Sequence, residues 1–482
     1  MNRRRVFSDD PSALWLILFL CIAAGMFLSR KLPVMEIWIV LFVGSAALGI
    51  RQRREGPGCS AAIAVMTVSL GAMWAVPGYL QQKGFAKETG RAQQYRVEVL
   101  TVPEEQGMRN YFRGAVCHPS RGCISRVYVY DYSREMKFAR RYRTEAVLRT
   151  ARWNRDHYVA WVKKDGVRGA LSPSPIGRLK AAVLRFCTGK WKAHTSARTS
   201  RFLAAVFLGR RELLGDDVGV FIDSGCAHFL AVSGVHMGIL ALFCMAGMRL
   251  FSFPYRLRLI VLMGFLPGYA CLTGMSPSAF RAAVMAVLVG MSFFCRRRVL
   301  PWNSLGLAGI ILLFVSPGWI YSAGFQFSFL AVAAILFSAS RVPFSTGNMP
   351  VRYAITIWWV SLWIFLWVSP LISFHFGYIY FGSLISSVVL IPLFTGVLLL
   401  NLLFLCFSWS YWCASAFGAL LCSGVDIFWA VTRWVSAQNF SSVRYACSWQ
   451  EVAGYYGFFF FCLAAAAWRR RKRLRFPELS GK

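Results

Sequence analysis

From about residue 225 to residue 468 the chain is apolar almost without a break. No soluble core absorbs such a run, because a stretch of about 20 apolar residues already matches the thickness of a bilayer. The run divides into segments near 226–248, 257–275, 278–295, 302–316, 324–340, 353–371, 383–408, 411–434 and 452–468. Three more precede it, at about 12–29, 34–50 and 60–80, so the expected total is about 12 spans. Of the 482 residues, 57% are hydrophobic and only 15% charged. Soluble domains carry about 25% charged residues. The mean hydropathy is +0.50. These values exclude a soluble globular enzyme, a disordered chain and a collagen-like fibre. They leave a polytopic α-helical membrane protein. The chain starts Met-Asn-Arg-Arg-Arg, and no small-residue cleavage site clearly follows the first apolar run, so that run reads as an uncleaved helix.

The polar interval 81–174 has a different composition. The stretches Tyr95–Val99, Phe112–Val116, Val127–Tyr130 and Tyr158–Val162 alternate with period 2, and Gly and Pro lie between them. Four or five short antiparallel strands in roughly 90 residues suit an inserted small β-barrel of OB-fold type. The expected organisation is therefore a three-helix region over 1–80, a β-domain over 81–174, an amphipathic basic segment over 175–215, a membrane domain over 216–468 and a basic tail over 469–482. The amphipathic segment carries Arg178, Lys180, Arg185, Lys190, Lys192, Arg198 and Arg201, and is expected on the membrane surface.

Charge supplies the next constraint. The 54 Lys+Arg against 20 Asp+Glu leave a net +34. With the N-terminus inside, the inner loops hold Arg3–Arg5, Arg51, Arg53 and Arg54, Arg249, Arg256 and Arg258, Arg296–Arg298, Arg341 and Arg352, and the cluster from Arg469 to Arg475. The outer loops 272–277 and 317–323 are almost uncharged. This is the positive-inside pattern, and it puts 81–174 outside and both termini in the cytoplasm. The 81–174 interval has 19 Lys/Arg and 9 Asp/Glu, a net +10. Long translocated domains escape the topological rule, so this excess points to a polyanion.

Four polar motifs interrupt the apolar half. The first runs from Asp223 to His236 and holds Ser224, Gly225, His228, Ser233, Gly234 and His236. The two histidines are eight residues apart, which would put them on nearly one helical face. The second comprises Thr273, Gly274, Ser276, Pro277 and Arg281. Ser276 can cap a helix whose first residue is Pro277, and Arg281 one turn in would favour a phosphate there. The third holds Gln326 and Ser328, and the fourth is His375-Phe376-Gly377, followed by Pro392 within a span. The plain alternative for each is helix packing, with small residues allowing close approach and His or Arg bonded to a neighbour. The spacing of Ser233 and His236 also admits a nucleophile and base, although no acid lies near in sequence to orient the ring. There is no GxxxxGK[ST] loop and no HExxH, and the six His form no dense cluster. No resident metal or cofactor is expected. Most of the 14 Cys lie in apolar runs, but Cys117 and Cys123, separated by five residues, stand in the polar stretch. They would form a disulfide if it faces an oxidising compartment.

At these motifs the chain resembles the ComEC-type competence family of inner-membrane DNA-uptake channels. The family pattern aGlaHLLAiSGlHvg appears as Ser224 to Gly238, tG-sPsa-RA as Thr273 to Ala282, and GFQLSF as Gly324 to Phe329. The hFG pattern and later Pro appear as His375–Gly377 and Pro392. Four motifs in order cover about 205–395. Two features depart. Where the family often has Asn, Ser386 and Ser387 stand near. The HxHxDH metal site of a metallo-β-lactamase-like domain, found in many members, does not occur in these 482 residues, so no nuclease role is carried over.

The resemblance implies a channel for single-stranded DNA rather than an enzyme. The motif residues named above would line the path. In the outer domain Arg96, Arg113, Arg126, Lys163 and Lys164 would meet phosphates. The implied partners are a periplasmic DNA receptor and a cytoplasmic helicase-like motor, and assembly as a homo-oligomer is left open. Two other readings stay on the table: a transporter of an anionic solute or lipid, and an intramembrane hydrolase using Ser233 and His236.

Overall fold

The computed structural model describes residues 19–24, 26, 68, 71, 92–99, 104–106, 109–118, 122–131, 141–150, 158–171 and 175–475, apart from 275, 297–299, 340, 342–347 and 439–440. The three expected N-terminal spans therefore lie almost wholly outside the described residues, as does the tail beyond Arg475.

After the few described helical residues at 19–24, 26, 68 and 71 come six strands: β1 Ala92–Val99, β2 Glu104–Gln106, β3 Arg109–His118, β4 Gly122–Asp131, β5 Arg141–Thr150 and β6 Tyr158–Leu171. Their neighbours run β1-β5-β6-β4-β3-β2, and β1 also pairs with β3. Leaving out short β2, the five longer strands close on themselves. Closure satisfies edge backbone groups that an open sheet would expose. The β4–β6 pairing is parallel, with Tyr128 opposite Val159, whereas the other pairings are antiparallel. Val97, Val127, Val129, Tyr142, Ala160 and Val162 are buried, which alternation along β1, β4 and β6 would give one face.

The helices are α1 Pro175–His194, α2 Ala197–Phe207, α3 Val218–Asp223, α4 Gly234–Leu250, α5 Tyr255–Leu272, α6 Pro277–Phe294, α7 Pro301–Val315, α8 Ala323–Ala339, α9 Met349–Phe376, α10 Gly382–Phe407, α11 Tyr411–Ser436 and α12 Trp449–Arg475. A short pairing of β7 Tyr378–Ile379 with β8 Val443–Arg444 follows α9 and α11. Each of the nine expected spans after residue 225 meets a helix. Five of these, α5, α6, α9, α10 and α11, are long and apolar enough to cross a membrane, while α4, α7 and α8 are shorter apolar helices. The first differs in its start. Residues 227–230 form a 3-10 turn, and α4 begins only at Gly234.

The chain divides into two compact units. One takes in residues up to 218 with 227–328 and 391–430, and the other 219–226, 329–390 and 431–482. In the first, α2 is largely buried and α1 packs through the side that carries Cys187 and Trp191. Trp191 is fully buried and donates through Nε1 to Asn401 Oδ1 of α10 at 2.9 Å. Lys190 Nζ reaches the Ser408 carbonyl at 2.8 Å, and the His194 ring lies edge-on to Tyr411 at 5.5 Å. A Cβ on Gly418 would lie 2.3 Å from the His194 carbonyl oxygen, so α11 approaches α1 to a distance only Gly allows. Arg198 lies over the Trp429 ring at 4.9 Å, and the Phe207 carbonyl at the end of α2 accepts from Tyr269 Oη at 2.5 Å. The segment expected to lie on the membrane surface thus has its C-terminal part docked against membrane-length helices.

Candidate functional site

The first motif is split by the fold. His228 is exposed on the 3-10 turn, tilted against Phe229 at 4.2 Å. His236 is buried one turn into α4. The expectation of one shared helical face fails because the backbone leaves the helix at Ser233, with φ −121° and ψ 178°. Ser233 caps α4. Its backbone N–H donates to His236 Nδ1 at 3.1 Å, and its Oγ is 3.1 Å from the same nitrogen. This is the reciprocal logic of a capping box with His where Glu or Gln usually stands. Nδ1 accepts, so the neutral ring carries its proton on Nε2. That nitrogen is buried beside the Val206 backbone without a hydrogen bond of normal geometry. The ring meets Phe394 of α10 edge-on at 5.2 Å.

The second and third motifs join this junction. Ser276 Oγ accepts from the Ala279 N–H at 3.3 Å and Pro277 opens α6, as the sequence predicts. Ser278 Oγ donates to the Val232 carbonyl at 2.9 Å, which ties α6 to the residue before Ser233. Thr273 Oγ1 donates to the Tyr269 carbonyl at 3.1 Å. Gly274 turns the chain at φ +95°. Arg281 is only 6% exposed, and its Nη1 donates to the Ser328 carbonyl of α8. The guanidinium expected to seat a phosphate is therefore engaged with a backbone oxygen. Gln326 Nε2 donates to the Ile320 carbonyl at 2.8 Å, and Ser328 Oγ is buried without a hydrogen-bond partner.

The second unit holds the remaining motif residues. Ser224 is buried, and its Oγ donates to the Phe221 carbonyl at 3.2 Å. Gly225 has φ +70°, and a Cβ there would lie 2.9 Å from Tyr380 Cβ. Cys226 Sγ is 3.4 Å from Ser386 Oγ, one of the two serines that stand near the family's Asn position. Ser441 Oγ donates to the Asp223 carbonyl at 2.7 Å, and the Gly382 N–H to the Ser441 carbonyl at 3.0 Å. His375 is exposed in the last turn of α9, against Phe374 at 5.3 Å. Gly377 ends that helix in the left-handed region, φ 76° and ψ 16°. Ser373 Oγ bonds the Tyr445 carbonyl, and the Cys447 N–H donates to Ser373 Oγ at 3.2 Å. At the mouth of α12, Glu451 is held below the usual carboxylate range by the Ser448 backbone N–H, then by the Ser448 and Tyr445 hydroxyls.

Sequence reasoning missed Trp191, Asn401, Ser373 and Ser441. Asn401 carried a readable signal, a lone amide inside an apolar span, where polar groups seek partners. In the β-domain, Arg96 stands on β1 opposite Cys117 and Arg143, and Arg113 on β3 opposite Tyr128. Arg126 lies on β4, and Lys163 and Lys164 on β6. The β3–β4 register sets Cys117 opposite Cys123.

Comparison with known proteins bears on this helical half. A family described as "Competence: Competence protein" matches residues 206–471, more than half of the chain. The chain is similar to ComE operon protein 3 of Bacillus subtilis, 31% identical over 46% of this chain and 28% of that protein. It is also similar to Recombination protein 2 of Haemophilus influenzae, 29% identical over 50% of this chain and 32% of that protein. An uncharacterised Aquifex aeolicus protein is 30% identical over 46% of this chain and 52% of its own length. The matched part thus spans between about a quarter and a half of these relatives. No solved structure matches.

Proposed function

The chain belongs to the Competence protein family, a ComEC-type group, and from that membership we propose that it carries single-stranded DNA across the inner membrane during DNA uptake. The observation that carries the proposal is the family match over 206–471, which takes in the helical junction built by Ser233, His236, Ser276, Arg281 and Ser328. Charge supports an orientation. Along the chain, Arg249, Arg296 and Arg341 stand at the ends of α4, α6 and α8, and Arg256, Arg258 and Arg352 at the starts of α5 and α9, while the motifs stand at the starts of α4, α6 and α8 and at the end of α9. With the arginine ends inside, the β-domain faces out and both termini lie in the cytoplasm.

The strand order of the β-domain supports an OB-like reading, since five longer strands close with one parallel pair. In that reading Arg96, Arg113, Arg126, Lys163 and Lys164 receive DNA phosphates outside. Cys117 and Cys123 form a disulfide there, because directly opposed strand residues lie within the Cα spacing a disulfide spans. A thiol count by alkylation with and without reductant tests it. A DNA receptor outside, a helicase-like motor inside and further copies of this chain are its proposed partners.

The test is uptake of labelled DNA in a strain lacking this chain, scored separately outside and inside the inner membrane. DNA held outside but absent from the cytosol is the expected result. Normal internal DNA overturns the proposal, and loss of a specific metabolite flux instead favours an anionic-solute or lipid transporter. The 3.1 Å spacing of Ser233 Oγ and His236 Nδ1 favours a second reading, hydrolysis. Against it, the same nitrogen already accepts the Ser233 N–H. A Ser233→Ala chain with full uptake removes that reading.

A further inference from the structure

Helix α9 carries a proline in its interior, Pro370. Proline has no N–H, so the Leu366 carbonyl, four residues earlier, has no helical donor. The pyrrolidine ring also crowds that turn and bends the helix. α9 is long and apolar enough to cross a membrane. In such a helix a released carbonyl needs a donor from a neighbouring element.

α12, in the same unit, supplies that donor. Tyr455 Oη donates to the Leu366 carbonyl at 3.1 Å, and Tyr456 Oη to the Trp367 carbonyl at 2.7 Å. The two hydroxyls serve the carbonyl opposite the missing N–H and the one after it. The packing around them is antiparallel. Phe374 meets Trp449 at 5.8 Å, while Trp367 and Trp363 meet Phe459 at 6.2 and 6.4 Å. α12 therefore lies along α9 on both sides of Pro370.

What lies beyond the bend gives it a consequence. The last turns of α9 end in His375-Phe376-Gly377, the fourth motif. The Tyr445 N–H donates to the Gly377 carbonyl at 3.0 Å, and the Cys447 N–H to Ser373 Oγ at 3.2 Å. Seven helical residues span about 10 Å, so a change of about 20° at Pro370 would move Gly377 by roughly 3–4 Å. A hydrogen bond does not survive such a shift. The motif keeps its place only while the bend keeps its angle. A tyrosine hydroxyl could also bond an already satisfied carbonyl by chance, but such a bond would not depend on Pro370.

We propose that Tyr455 and Tyr456 are positioning residues for DNA uptake: their hydroxyls replace the donor that Pro370 lacks, fix the bend of α9, and so hold His375–Gly377 in place. This rests on the DNA-translocation reading. It adds a latch that lies outside the four motifs and keeps one of them in position.

The test uses the full chain, in its own membrane with its level measured and purified in lipid nanodiscs. Tyr455→Phe and Tyr456→Phe keep the rings and remove only the hydroxyls. Together they should lower internal DNA several-fold with DNA held outside unchanged. Hydrogen exchange should quicken over residues 371–377 and not before the bend. The decisive comparison repeats the pair in Pro370→Ala, which restores an N–H for the Leu366 carbonyl. The pair should lower the thermal midpoint by a few degrees beside Pro370 and leave it nearly unchanged beside Ala. Pro370→Ala alone should fold, yet admit less DNA because the bend relaxes. Equal midpoint losses in both backgrounds overturn the latch, and so does faster exchange spread equally to both sides of residue 370. The exchange result decides even where Pro370→Ala does not accumulate. Normal internal DNA in the paired variant, in a background where deleting the chain abolishes it, overturns the positioning role and leaves the channel standing. Intact uptake after deletion instead sinks the DNA reading itself, a result that midpoint and exchange do not mimic.

Discussion

Arg281 and Arg185 both belong to helices packed in the membrane half, yet they end differently. Arg281 is 6% exposed and gives its Nη1 to the Ser328 carbonyl. Arg185 is exposed, on a helix face with no acid nearby in sequence. The first sits in the most recognisable motif of the chain. The second sits in a segment that carries no motif. Two motif residues tie separate elements, Ser278 to the Val232 carbonyl and Arg281 to the Ser328 carbonyl, while Ser233 and His236 bond within one cap.

Stability measurements break or sharpen this contrast directly. Arg281→Ala should lower stability most, by about 2–4 kcal/mol. It strands a buried carbonyl and leaves a cavity where a long side chain was. Thermal unfolding of the purified chain in lipid nanodiscs reads it. Arg185→Gln should stay within about 0.5 kcal/mol of wild type, as surface changes do. Equal losses from both would end the distinction between a buried tie and an exposed cation.

Gly418→Val follows at about 2–3 kcal/mol. Its new Cβ falls 2.3 Å from the His194 carbonyl oxygen, so α1 must shift away from α11. Hydrogen exchange should then rise through α1. Gly189→Ala, on the exposed face with nothing within 4 Å, should be neutral or stabilise by up to about 1 kcal/mol through helix propensity. Trp191→Phe comes next, at about 1–3 kcal/mol, because it leaves the Asn401 amide buried without its donor. Paired with Asn401→Leu the losses should fall short of additive, since the second change removes the orphaned group. Full additivity would mean that the bond does not fix α1.

The sequence exposed much of this and hid the rest for physical reasons. The helices after residue 225, five of them long and apolar enough to cross a membrane, were legible because hydropathy over about 20 residues averages out local detail. The start of α4 was not. Phe229 to Val232 keep the window apolar while the backbone has already left the helix at Ser233. Strands β1, β3, β4 and β6 followed from period-2 runs, but β2 has only three residues, and in β5 the face opposite Arg141, Arg143 and Glu145 holds Tyr142, Thr144 and Ala146, a weak apolar signal. The closed strand order needs pairings far apart in sequence, which local patterns do not encode. In the site, caps such as Ser276-Pro277 were legible because they are made within one turn. The partners of Arg281 and Trp191 lie 47 and 210 residues away.

The smallest effect compares two caps. Ser448 and Glu451 repeat, at the start of α12, the geometry of Ser233 and His236. The Ser448 N–H donates to Glu451 Oε2 at 2.6 Å, and the Glu451 N–H to Ser448 Oγ at 3.3 Å. There the acceptor is an exposed carboxylate instead of a buried imidazole. Its bonds, the Ser448 backbone N–H foremost, lower the carboxyl below its ordinary range. A depressed carboxylate contributes stability that is present above its unfolded pKa and lost as pH falls through the folded one. Hydrogen exchange at the Ser448 amide should therefore quicken only below the ordinary carboxylate range. Glu451→Gln keeps an acceptor for the cap, so it should change little at neutral pH and remove that acid step. An acid step that persists in Glu451→Gln would assign it to another group. A large loss at neutral pH would mean that charge, rather than the hydrogen bond, holds this exposed cap, and the two caps would then differ in kind.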